Sequence, residues 1–163
     1  MLNVLYSICK FLQDELGAAP YSFFGEIKID HANYIDINST LPKILVSDIM
    51  WEWTNEQYGS PGNKRVNPLY IEVFAGDKIH ALRISTWIAG KELRGDAGQT
   101  GVLFNTNIPY LQFDASGTVV GTIGTIRFGN DPLPIIRFVA IVDTAELAFN
   151  YIIEFRNVEA ILN

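Results

Sequence analysis

The sequence predicts an α+β fold: an antiparallel or mixed sheet with an N-terminal helix and a second helix packed on it, a long C-terminal β-hairpin and extended loops. Three stretches carry that prediction. Pro134 to Val142 and Leu147 to Arg156 alternate like two antiparallel strands joined at Asp143-Thr144-Ala145-Glu146. Residues 2–16 repeat apolar side chains at three- and four-residue spacing, and Lys78 to Leu93 opens after a capping aspartate.

In order along the chain, Leu5, Ile8, Cys9, Leu12 and Leu16 form the apolar stripe of the first helix, with Lys10, Gln13 and Asp14 opposite and Gly17 as its stop. Short β-rich pieces follow at Tyr21 to Ile29, Asn33 to Ile37 and Lys43 to Ile49, parted by turns at Asp30-His31-Ala32 and Asn38-Ser39-Thr40. Met50 to Asn67 reads as a strand bearing Trp51 and Trp53 that runs into a long loop from Gly59 to Asn67. Leu69, Ile71 and Val73 alternate with Tyr70, Glu72 and Phe74, and Ala75-Gly76-Asp77 ends that strand.

The next segment fits two readings. As a helix it is capped by Asp77, buries Ala81, Ile84 and Ile88 and ends near Gly90; as a strand it forms a hairpin at Gly76-Asp77. The helix is the preferred reading. Gly95 to Gly129 is rich in Gly, Thr and Asn, which predicts a long loop region with a glycine-bearing strand and extended arms. In the closing hairpin, Leu147, Phe149, Tyr151, Ile153 and Phe155 share an apolar face that something must cover.

At 163 residues the chain suits one domain spanning 1–163 that buries roughly 70% of its unfolded surface. Hydrophobic residues are 48% and charged residues 18%, with a mean hydropathy of +0.15, so part of the apolar surface is expected between subunits. The net charge of -6 and the absence of any basic run beyond Lys64-Arg65 argue against a duplex-gripping surface. One cysteine, Cys9, rules out an internal disulfide framework. The N-terminus lacks a basic leader and no apolar stretch approaches the ~20 residues of a membrane span, so a cytosolic site of synthesis is expected.

Chemistry-bearing motifs are sparse. His31 and His80 are the two imidazoles, and neither sits in a ligand or triad pattern. The glycine clusters at Gly95 to Gly101 and Gly117 to Gly124 lack both the P-loop ending and the dinucleotide spacing. Arg94-Gly95-Asp96 and the sequon at Asn38 read as turns. Asp48, Glu52 and Glu56 would align on a helix, but the tryptophans flanking Glu52 favour a strand and solvated charge. No catalytic, metal or cofactor residue is expected. Trp51, Trp53, Tyr58, Lys64 and Arg65 are the candidates for a subunit interface, because Trp and Tyr concentrate at interface centres and Trp51 and Trp53 share a strand face beside a Gly/Pro loop.

The order of pieces resembles the tail-terminator and neck (head-tail joining) proteins of tailed bacteriophages. The resemblance lies in the helix Leu2 to Leu16, the strand Pro68 to Gly76 followed by Asp77 to Leu93, the stretch Asn107-Ile108-Pro109-Tyr110-Leu111, and the ending Phe149 to Arg156. It implies a non-enzymatic virion protein of the tail or neck, assembled in the host cytoplasm as a homo-oligomeric ring, commonly a hexamer. Its implied partners are the tail-tube protein and the head connector, and DNA passes through the ring without sequence-specific binding. The rival readings are a tube or baseplate subunit and a small-ligand-binding or enzymatic α+β domain with a pocket lined by Tyr110, Phe113 and Phe128.

Overall fold

The computed structural model describes residues 2–17, 27–31, 41–48, 51–54, 63–66, 68–90, 101–129, 131–143 and 147–163. Within them lie two helices, α1 (Leu2–Gly17) and α2 (Lys78–Ala89). The strands are β1 (Lys28–His31), β2 (Lys43–Asp48), β3 (Trp51–Thr54), β4 (Asn63–Val66), β5 (Leu69–Ala75), β6 (Asn107–Phe113), β7 (Val119–Phe128), β8 (Ile135–Asp143), β9 (Leu147–Phe155) and β10 (Val158–Leu162). The class is α+β, as the sequence predicts.

Sheet A has the order β1-β2-β5-β9-β8 and sheet B the order β3-β4-β10-β7-β6. Among the described residues, only the β1/β2 pairing is parallel. The two orders correspond, because β2 is followed in sequence by β3, β4 by β5, β7 by β8 and β9 by β10. Strands close in sequence thus hold corresponding places in the two sheets, with β1 added at one edge of sheet A and β6 at the opposite edge of sheet B. The sheets are two halves of one folded ribbon, and their inner faces meet in one core.

Alternation explains which side chains fill that core. Across sheet A the register sets Ile29, Ile44, Val73, Tyr151 and Phe138 in one row, and Val46, Ile71, Ile153 and Ile136 in the next but one. Sheet B contributes Ile108, Tyr110, Ile126, Phe128, Val158 and Ala160, all buried. Phe128 of sheet B meets Phe155 of sheet A edge to face at 5.3 Å, and full burial of a side chain of this kind stabilises by about 1.5–3 kcal/mol.

Each helix has a distinct place. α1 packs on β1, β2 and β6, so it bridges the ribbon's two extreme strands; α2 packs on β5, β8 and β9. Val4, Leu5, Ile8, Cys9 and Leu12 are the buried stripe of α1, as the spacing predicts. The helical reading of the segment after Asp77 is the observed one. Asp77 accepts the His80 N–H at 2.9 Å, and Gly90 closes the helix at φ 73° with its N–H on the Thr86 carbonyl. The returning chain finishes the cap: Val102 and Leu103 donate their N–H groups to the Trp87 and Ile88 carbonyls.

Several sequence-based boundaries need correction. Asp30 and His31 belong to strand β1 rather than to a turn, because the parallel pairing with Leu45 and Val46 holds them extended. Asn63 to Val66 belong to β4 and not to a loop, since they pair with Trp51 to Thr54. The expected loop region from Gly95 to Gly129 contains the β6/β7 hairpin of sheet B. Its composition hid this: Asp114 makes a tight turn by accepting from Ser116 and Thr118, and Gly124 is small because any Cβ there would collide with the Ile161 carbonyl of β10. Strand β10 was not expected at all. The predicted strand Asn33 to Ile37 and the stretch Gly95 to Thr100 lie outside the described residues.

Candidate functional site

The β3/β4 hairpin holds four of the five interface candidates; Tyr58 lies outside the described residues. Trp53 is in register with Lys64, Lys64 with Ala160, Ala160 with Ile126 and Ile126 with Ile108. The last three are buried, and Trp53 and Lys64 hold the positions that continue this register row to the edge of sheet B. Trp51, two residues back, falls on the same side of the sheet.

Arg65 has a different setting. It is in register with Glu52 on one side and Glu159 on the other, and Glu159 is in register with Arg127. Negative and positive residues thus alternate in register across four strands of sheet B, an order that favours this pairing of strands over a shifted one. The register therefore separates four of the five candidates: Trp53 and Lys64 share one row of sheet B, Trp51 stands two residues from Trp53, and Arg65 lies in a row with Glu52 and Glu159.

A second surface lies at the β8 edge of sheet A. Phe138 and Val139 are 44% and 49% exposed, with Leu133 ahead of the strand and Ile79 at the start of α2 also exposed. Both adjacent residues are exposed at a bulge, where Val139 is the extra residue and the pairing with β9 slips between Phe138 and Ala140. The Lys78 ammonium stands 5.1 Å from the Phe138 ring centre, and Tyr151 meets that ring at 5.3 Å. Glu154 accepts from both Arg137 and Arg156 at the neighbouring strand end. Sequence reasoning treated this hairpin as scaffold. The missed signal was the unbroken apolar run Phe138 to Val142, which a strand with one wet face would have interrupted.

A third feature is a groove of 270 Å³ between α1, β1 and the β6/β7 turn, lined by Tyr6, Cys9, Lys10, Gln13, Ile29, Phe113 and Gly117. Of the pocket residues expected from sequence, Phe113 alone reaches it. Tyr110 and Phe128 are 4% and 0% exposed and belong to the core, because β6 and β7 turn those positions inward. Lys10 pairs with Asp14 one helical turn on, and Gln13 reaches the Ile29 carbonyl at 3.4 Å.

His80 sits in the first turn of α2, where its backbone N–H donates to the capping Asp77 carboxylate; the side chain of His31 is not described. Among the described residues, no group of three His, Cys, Asp or Glu side chains is placed to hold a metal ion. Also among them, no helix is long and apolar enough to cross a membrane. No protein-family model matches the chain, and no curated protein matches it either.

Proposed function

We propose that this protein is a structural subunit of a tailed-phage virion, a tail terminator or neighbouring neck protein that works as a homo-oligomeric ring. The observation that carries the reading is the order of elements: an N-terminal helix, a strand leading into an Asp77-capped helix, the strand from Asn107, and a long closing hairpin. The ring needs a heterologous contact, one patch fitting a different patch on the next copy. The β3/β4 hairpin, with Trp51 and Trp53 at the sheet edge, supplies one side of that contact. In this role the protein is not an enzyme. It stops growth of the tail tube and offers its other face to the head connector, and an acidic chain of net charge -6 lets DNA pass without gripping phosphates.

The test is mass measurement and negative-stain imaging of the purified full chain, alone and with tail-tube protein. A closed ring of fixed mass seated at tube ends, with elongation halted, is the expected result. A monomer indifferent to tubes at every concentration would overturn the reading.

The groove beside α1 favours one alternative, a small-ligand-binding domain, since it brings a lysine, a glutamine and two aromatic rings to one concavity. Thermal stabilisation of the monomer by a small-molecule panel, abolished by Phe113→Ala, would select that alternative over the ring.

A further inference from the structure

We infer that the β3/β4 hairpin is an electrostatic strap: a row of alternating charge holds it on β10, and it opens as a unit when that row is screened or broken, while sheet A stays closed. The register shows where the strap belongs. Asp48 pairs with Leu69 in sheet A, and three residues on along one strand and three back along the other, Trp51 pairs with Val66 in sheet B. β3 and β4 thus keep the register of β2 and β5, and the pairing has a near half in sheet A and a far half in sheet B.

The two halves are held differently. β5 lies between β2 and β9, and its Leu69, Ile71, Val73 and Ala75 are fully buried. β3 is an end strand, so the far half joins the rest of sheet B through β4 alone. Among the described residues, β4 meets β10 at Lys64 with Ala160 and at Arg65 with Glu159, whereas β7 is in register with β10 from Val158 to Leu162. A two-stranded hairpin is marginal in water by itself, so its docking decides whether it stays formed.

Charge supplies that docking. Glu52, Arg65, Glu159 and Arg127 stand in register on β3, β4, β10 and β7, so each neighbouring pair is of opposite sign. Opposite charges directly across strands stabilise, and like charges there destabilise. The other registered pair, Lys64 with Ala160, brings no opposing charge. Arg127 is exposed and Glu159 half-buried, so the row is open to salt, whose screening distance falls from about 30 Å at 0.01 M to about 3 Å at 1 M. The apolar rows of sheet A have no such dependence.

Hydrogen exchange of the full chain, read by mass spectrometry at about 0.01 M and about 1 M salt, tests the strap. Backbone amides of 51–54 and 63–66 should be protected at low salt and exchange about fivefold faster at high salt, with those of β5 and β9 unchanged. Glu159→Arg sets like charges at three successive positions of the row and should speed the strap about tenfold at low salt. Glu159→Gln, which only removes a charge, should give a smaller change in the same direction. Reversing the whole row with Glu52→Arg, Arg65→Glu, Glu159→Arg and Arg127→Glu restores the alternation and should restore protection.

Circular dichroism and the exchange of β5 and β9 confirm that each variant is folded. Strap amides that are open at both salt levels, that ignore salt, or that open only together with sheet A would overturn the inference. So would a complete reversal that exchanges no more slowly than Glu159→Arg. The strap is separate from the ring reading. Rings built from a chain whose strap ignores charge would remove the strap alone, and a charge-sensitive strap on a chain that never forms rings would remove the ring alone.

Discussion

Tyr110 shows how one buried side chain makes stability depend on pH. It lies in β6 at 4% exposure, and burial raises its hydroxyl pKa above the ordinary value because the phenolate would lose its hydration. The folded state then holds this proton more tightly than the unfolded chain does. Its contribution is fully present below the unfolded pKa of about 10 and is lost as pH rises through the folded value. The urea midpoint of the native protein should fall more steeply above about pH 10 than that of Tyr110→Phe, measured by fluorescence in parallel titrations. Midpoints that fall in step would show a hydrated hydroxyl. Asp114 is shifted the other way, downward, chiefly by the Ser116 hydroxyl and then the Thr118 N–H, but it is exposed and serves the turn rather than the core.

At the scale of elements, the contact between α1 and β6 depends on a buried serine. Ser7 is 1% exposed; its hydroxyl donates to the Asn3 carbonyl and accepts the Leu111 N–H at 2.9 Å. Leu111 stands where the β6/β7 register slips, so its N–H sits at an interruption of the ladder, and α1 supplies the acceptor. The helix thereby covers an edge that would otherwise stay open. Ser7→Ala should cost about 1–3 kcal/mol in urea denaturation, because it strands a buried donor rather than removing a pair. A loss of only a few tenths would mean that water reaches Leu111. None of this was legible in the sequence, where Ser7 is one polar residue on a helix. α1 and α2 were legible because their stripes, the Asp77 cap and the Gly90 stop are local signals. β5, β8 and β9 were legible by alternation. β6 and β7 were legible only as a glycine-bearing strand with extended arms and not as a hairpin, since Gly121 and Gly124 depress strand propensity and the place of Gly124 is set by distant backbone at Ile161.

At the scale of the molecule, the folded ribbon decides what Trp53 does. The sequence put Trp51 and Trp53 on one strand face, but only the pairing of β4 with β10 shows which row they extend, and that pairing joins residues almost a hundred positions apart. Lys64 stands between Trp53 and the buried Ala160 in that row. Trp53 lies in β3, the end strand of sheet B, so that register row ends with it. On the proposed ring reading, Trp53 anchors a neighbouring copy. Trp53→Asp should therefore leave the circular dichroism spectrum and the unfolding midpoint nearly unchanged while the ring falls to smaller species in sedimentation, since burying an unpaired carboxylate at each contact opposes closure around the whole axis. Trp53→Phe should retain the ring with reduced stability, because it keeps an aromatic anchor of smaller area. An unfolded Trp53→Asp chain would move Trp53 into the core, and a folded variant that still closes rings would move the subunit contact away from the β3/β4 hairpin altogether.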